Sequence, residues 1–219
     1  MKTKRKIDLS YLKQDFYNKP KQIHKDIVKN LLKRLSKFKI LKHPTLVDHG
    51  CADGQFLNVL SKEKSFNKFN LIGTDVHSSL LVKAKKQLKN RIKIKKGSIF
   101  NRNLFLKKTI DISCVCGVLP LFEDFKILDN CINWSKSKGI IFVTALFNNY
   151  DYDVFVKYNP STHKNITSVK KLSGWNIFSK KTVSRFLDNN KKVKNYKFVK
   201  FEMKKISSLT KKCHISFGL

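Results

Sequence analysis

A chain of 219 residues with 41% hydrophobic content and 17 Phe is long enough to fill one substantial core. It has no long apolar run, and no apolar segment follows its basic start MKTKRKIDLS, so it reads as soluble and cytoplasmic without a membrane span; its five cysteines form no C-x-x-C pair, which excludes both a disulfide framework and a zinc site from the expectation. The net charge of +32 suggests polyanions, yet only five of the 47 basic residues are Arg, the residue best suited to forked phosphate contacts, so the lysines read first as a solvated surface.

Residues 1–40 read as an N-terminal arm followed by an amphipathic helix. Tyr11, Phe16 and Tyr17 have no period, whereas Ile23, Ile27, Leu31, Leu32, Leu35 and Phe38 recur at helical spacing with lysines between. Lys42, His43 and Pro44 break that helix, because proline disfavours helix at itself and at the residue before it. Residues 41–219 then form the main domain. In 46–57 (LVDHGCADGQFL) a short apolar run closes on Asp48, glycines follow at 50 and 54, and apolar periodicity resumes at Phe56: strand, tight turn, helix. Residues 69–76 form a second strand closing on Asp75, with Ser78 or Ser79 capping a helix through Leu88. Residues 92–99 alternate as a third strand, 110–118 form a buried-type fourth, 121–134 a helix and 140–147 a fifth strand.

Strands separated by helical segments predict an α/β fold: a doubly wound, mostly parallel sheet with helices on both faces. Residues 148–175 have no sustained period and read as an insertion or lid on the substrate side. Ser179 reads as the cap of a helix containing Val183, Phe186 and Leu187; residues 196–201 alternate as a strand, and 211–219 form a weak last one.

In such a sheet the ligand lies beyond the carboxyl ends of the strands. Gly50 and Gly54 let the first turn approach a ligand, and Asp75 suits a ribose diol because an ionised carboxylate only accepts hydrogen bonds while two hydroxyls can both donate. A dinucleotide fingerprint fails, since from Gly50 the chain offers Ala52 and Gln55 where glycines are required, and the Walker lysine pattern is absent. Cys114 and Cys116, two apart on a strand, read as buried small hydrophobes, while Trp175 and Phe178 read as lid packing. Asp151, Asp153 and Lys157 are candidate substrate contacts. Asp151, Asp153, His49 and His163 are the general bases available should the acceptor be a hydroxyl.

VDHGCADGQFL followed by IGTDVH resembles the class I S-adenosylmethionine-dependent methyltransferases, whose first motif runs D-x-G-x-G-x-G. The resemblance continues through KKGSIF, DISCVCGVLPLFED and KGIIFVTALF, while FNNYDYDVFVKY and GWNIFSKKTVSRFL are similar to a bacterial subgroup acting on small molecules or surface polysaccharides. It implies a Rossmann-like fold with S-adenosyl-L-methionine as cofactor and no metal. Asp48 and Gly50 would meet the methionine end, with Cys51, Ala52 and Gly54 forming the turn. Asp75 would take the ribose hydroxyls, Val76 the adenine face, and Ser98 and Ile99 the adenine amino edge, with Cys116 and Gly117 near the transferring methyl. Ala52 replaces the motif's central glycine, and Ser98 stands where the family often has Asp. The implied acceptor is a small molecule or glycan. The alternatives are RNA held by the lysine surface, or a protein that keeps the fold without transfer.

Overall fold

Leu46 and Val47 are adjacent in sequence and both fully buried, which requires apolar cover on both faces of the strand that carries them. A computed structural model describes residues 22–35, 42–89, 91–158, 172–173 and 175–200 and shows that cover. The central sheet is built from β1 (Thr45–His49), β2 (Asn70–Asp75), β3 (Lys93–Lys96), β4 (Ile110–Cys116) and β5 (Ser135–Thr144) in the order β3-β2-β1-β4-β5, every neighbouring pair parallel. The order reverses between β1 and β4, so the fold is doubly wound, as the periodicity predicts.

One face packs against α1 (Gln22–Leu35), α2 (Gln55–Ser61) and α3 (Ser78–Leu88). There Leu46, Leu71, Ile112 and Cys114 of the sheet meet Leu31, Leu57 and Ala84 of the helices. The other face packs against α4 (Lys126–Trp134) and α5 (Lys180–Asp188), where Val47, Ile72 and Val115 meet Ile127, Trp134 and Val183. Ile110 and Ile112 should share a face at period two but enter opposite clusters, and the β4–β5 register shifts between them.

Several boundaries differ from the sequence reading, each for a local reason. The helix expected over 121–134 begins at Lys126, because the Asp124 carboxylate accepts the Lys126 N–H at 3.1 Å and a short 3-10 turn occupies Leu119–Leu121. The strand expected over 140–147 instead starts directly at the end of α4, and its last part is a separate strand, β6 (Leu146–Asn148). Residues 148–175 are not structureless where described: β7 (Lys157–Tyr158) pairs with β8 (Leu172–Ser173), Val154 bridges Ile177, and β6 pairs with β9 (Ile177–Ser179).

Ser179 caps α5 as expected, its hydroxyl accepting the Lys181 N–H at 3.1 Å. Residues 196–200, expected as a strand, pair with no strand among the described residues; Phe198 turns inward onto Phe147 while Tyr196 and Val199 stay exposed. Alternation marked the inward residue but supplied no neighbouring backbone to complete a ladder. The N-terminal arm, residue 201 and the strand expected at 211–219 lie outside the described residues. No helix among the described residues is long and apolar enough to cross a membrane.

Trp134 is fully buried and its indole N–H donates to the Arg102 carbonyl at 2.8 Å, tying α4 to the loop before β4. Trp134→Phe removes the donor and strands that carbonyl, so it should destabilise the protein by about 1–3 kcal/mol in urea unfolding.

Candidate active site

The loops following β1 and β2 are bound to each other by backbone groups. Gly50 N–H and Cys51 N–H both donate to the Thr74 carbonyl, at 2.8 and 2.9 Å, and Gly54 N–H closes the turn onto the Cys51 carbonyl. The Asp75 carboxylate completes the junction, accepting from Ala52 N–H through Oδ2 and from His77 N–H through Oδ1, each at 2.9 Å. Three residues of the turn sit in the left-handed region: Gly50 at φ 76, Ala52 at φ 49 and Gly54 at φ 87. Gly50 has no substitute, because a Cβ there would lie 2.4 Å from Val118 Cγ2. Ala52 adopts the same region with a side chain, so the missing motif glycine costs backbone strain as well as a methyl group.

Asp48, the penultimate residue of β1, lies just before this turn, 1% exposed, with its Oδ1 lacking any hydrogen-bond partner among the described residues. Burial pushes its carboxyl up to about 8, with the nearby Asp75 charge adding to the effect. Asp53 is also buried and its Oδ1 is likewise without a partner, while Oδ2 accepts from Gln55 Nε2 at 3.4 Å; burial raises its pKa against the opposing pull of that hydrogen bond. Two buried carboxyl oxygens thus lie beside the left-handed turn without a hydrogen-bond partner among the described residues.

The other expected cofactor contacts converge on the same cleft. Asp48, Gly50, Cys51, Ala52, Asp75, Val76, Ser98, Ile99, Cys116 and Gly117 line it, and Gly54 sits behind the turn against Ala84 and Leu88 of α3. Val76 is exposed and lines the cleft. Ser98 Oγ accepts from Phe100 N–H at 3.2 Å, which orders the loop, and the Ile99 carbonyl accepts from the buried Asn130 side chain at 2.8 Å. Gly117 N–H donates to both the carbonyl and the hydroxyl of Thr144, each at 3.0 Å, so β5 fixes the end of β4. Cys114 and Cys116 do share a face. Burial raises both thiols well above the usual range, which suits packing groups rather than nucleophiles.

The candidate bases do not join this cluster. His49 points to the opposite face, fully buried, stacked on Trp134 at 5.3 Å and edge-on to Phe105, with its Nε2 3.3 Å from Ser113 Oγ; burial lowers its pKa to about 3. The period-two rule explains the separation, since Asp48 and His49 are neighbours on one strand. Asp151 pairs with Lys181 at 2.6 Å on the surface, Asp153 accepts the Ser179 N–H at 2.6 Å at the head of α5, and Lys157 lies 3.8 Å from Glu123. None of these lines the cleft. His163 lies outside the described residues.

The sequence reading missed Val118, which fills the space over Gly50, and Asn130, which holds the Ile99 loop. It also missed the approach of Trp175 to Gly117, where an added Cβ would lie 3.4 Å from the indole. The expectation of lid packing fits Phe178, which is buried, while Trp175 is 52% exposed over the end of β4.

No protein-family model and no curated protein matches the sequence. Solved structures that resemble the fold include the PH0226 protein from Pyrococcus horikoshii, 19% identical with a TM-score of 0.49 and 64% of each chain covered. The CurJ carbon methyltransferase is 16% identical with a TM-score of 0.49, covering 55% of this chain and 34% of that one. A Methanococcus maripaludis protein assigned as an S-adenosyl-L-methionine-dependent methyltransferase is 21% identical with a TM-score of 0.46, covering 53% and 52%. In each case the match spans less than two thirds of the other chain's length.

Two expectations follow from the turn. Ala52→Gly relieves the left-handed strain and should raise stability by up to about 1 kcal/mol, read as a higher melting temperature. The second concerns pH. The folded state holds the Asp48 proton that the unfolded chain releases near the ordinary carboxylate value, so this group's contribution falls as pH rises toward about 8. Neutral His49 acts oppositely but only between about 3 and 6.5, leaving Asp48 dominant of the two above that range. Urea unfolding should therefore show wild-type stability declining from about pH 6.5 to 8, and Asp48→Asn should flatten that decline.

Proposed function

We propose that this chain binds S-adenosyl-L-methionine and transfers its methyl group to a small-molecule or glycan-type acceptor. The observation that carries the reading is the buried Asp48 carboxyl, its Oδ1 without a partner, facing a turn that is left-handed at residues 50, 52 and 54. Asp48 and Gly50 would hold the amino-acid end of the cofactor. Asp75 would accept the ribose hydroxyls with the lone pairs left after bracing Ala52 and His77, Val76 would cover the adenine, and Ser98 and Ile99 would meet its edge.

The cofactor, when bound, supplies an electrophilic methyl on a sulfonium, so the protein's task is to align an acceptor and exclude water. Gly117 and Trp175 form the mouth at which the acceptor would enter, and residues 148–175 would serve as the substrate-side cover. His49 is packed away from this mouth, and Asp151 and Asp153 are engaged around α5, so none of these three is assigned as general base. A nucleic-acid acceptor is the second reading, favoured by the lysines at residues 191–200, five in ten positions without a carboxylate, most of them lining the cleft.

Calorimetric titration with S-adenosyl-L-methionine and S-adenosylhomocysteine tests the cofactor assignment. Both should bind, and at pH 7 the heat should vary with buffer ionisation enthalpy, because an ammonium group at Asp48 draws that carboxyl to its ionised form and releases a proton. Asp75→Ala should weaken both by at least about tenfold. A folded protein that binds neither nucleoside overturns the assignment.

A further inference from the structure

We infer that residues 189–200 form a cationic rail that holds single-stranded nucleic acid beside the cleft. This deepens the second acceptor reading and rests on it for its role, while binding along the rail depends only on the rail's own side chains. After α5 the chain runs NNKKVKNYKFVK over 189–200, with Lys191, Lys192, Lys194, Lys197 and Lys200 and no carboxylate; the nearest in sequence are Asp188 and Glu202. The segment has no regular secondary structure, yet it is anchored. Phe198 packs edge-on against Phe147 at 5.4 Å, Lys180 Nζ lies 5.6 Å from the Phe198 ring centre, and Val193 N–H donates to the Asn190 carbonyl at 2.8 Å.

Phe198 alone is turned in against Phe147, and the lysines around it stay exposed. Lys192, Lys194 and Lys197 are exposed, border the broad depression that runs along β5 from Lys138 to Gly117 and Trp175, and form no ion pair among the described residues. Other lysines do find carboxylates, as Lys136 does in Asp111 and Lys181 in Asp151. Like charges fixed this close repel one another, and a phosphate chain laid along them relieves the repulsion while releasing counterions.

Aromatic groups select the kind of polyanion. Tyr196 stands between Lys194 and Lys197 and is 39% exposed, and Trp175 is exposed at the same cleft. Tyr196 also meets the Phe198 ring in a T-shaped contact at 6.1 Å, which holds it among the lysines; basic groups interleaved with partly exposed rings suit a strand whose bases are unpaired and able to stack, whereas a duplex hides its base faces. A lipid surface is flat and would not follow residues that line a cleft.

The test uses the full chain without cofactor and a fluorescein-labelled oligouridylate about 20 nucleotides long, with anisotropy read across a salt series. The wild type should bind with a steep salt dependence. The triple variant Lys192→Glu, Lys194→Glu, Lys197→Glu should bind at least about tenfold more weakly, with the salt slope smaller by about 2. Tyr196→Ala should lose about fivefold or more with the slope unchanged. The comparison triple Lys62→Glu, Lys64→Glu, Lys68→Glu carries the same charge change on exposed lysines outside the cleft and should bind within about twofold of wild type. Equal losses in the two triples would mean diffuse charge and overturn the rail, as would Tyr196→Ala binding like wild type or polyphosphate competing as well as the oligonucleotide. Nucleoside calorimetry on the same preparation separates failure of the rail from failure of the cofactor reading.

Discussion

The Asp75 carboxylate is the contact on which the site depends. By accepting the Ala52 and His77 N–H groups at once, it fastens the turn after β1 to the loop after β2, and the Thr74 carbonyl doubles the joint through Gly50 and Cys51. The strands position these groups, because β1 and β2 pair in parallel with His49 opposite Thr74 and bring their carboxyl ends level. Burial, with the neighbouring Asp75 charge adding to it, raises the pKa of a second carboxyl in this joint, Asp48. Fold, turn and local electrostatics thus follow from one pairing register.

The alternation of strands and helices was readable because each strand is short and apolar and each helix keeps a 3.6-residue period, and both patterns are local properties of the chain. That the candidate site residues gather at one end of the sheet was readable for the related reason that they are the strand ends themselves. The residues given a chemical role by type alone fared differently. His49 sits one position from Asp48, and the pleat sends it into the Trp134 cluster instead of the cleft. Asp151 and Asp153 are acidic residues in a loop, but their partners, Lys181 and the Ser179 N–H, lie about thirty positions further along, and no periodicity announces such a contact. Val118 over Gly50 and Trp175 over Gly117 escaped for the same reason: both are tertiary approaches between loops.

Charge is distributed unevenly in its consequences. A lysine near a carboxylate, such as Lys136 at Asp111, supports the fold locally, and its partner also accepts the Thr45 N–H at the start of β1. Lys192, Lys194 and Lys197 form no ion pair among the described residues and contribute field instead. Residues 189–200 share their lack of carboxylates with the longer run 76–110, so the field of this basic chain has more than one source.

The reversal of strand order at β1 also bears on how the chain reaches this structure. β1, β2 and β3 are joined through short crossovers, and Asn70 N–H donates to the Pro44 carbonyl at the mouth of that unit. The pairing of β1 with β4 instead joins residues more than sixty positions apart, such as Leu46 and Ile112. Closing that long loop is entropically costly, so the second half of the sheet assembles on the first, and the face bearing Val47 and Ile72 stays wet until residues 110–134 arrive. The strand that carries Asp48 therefore lacks one of its two neighbours, and the turn at Gly50 its Val118 cover, until β4 docks.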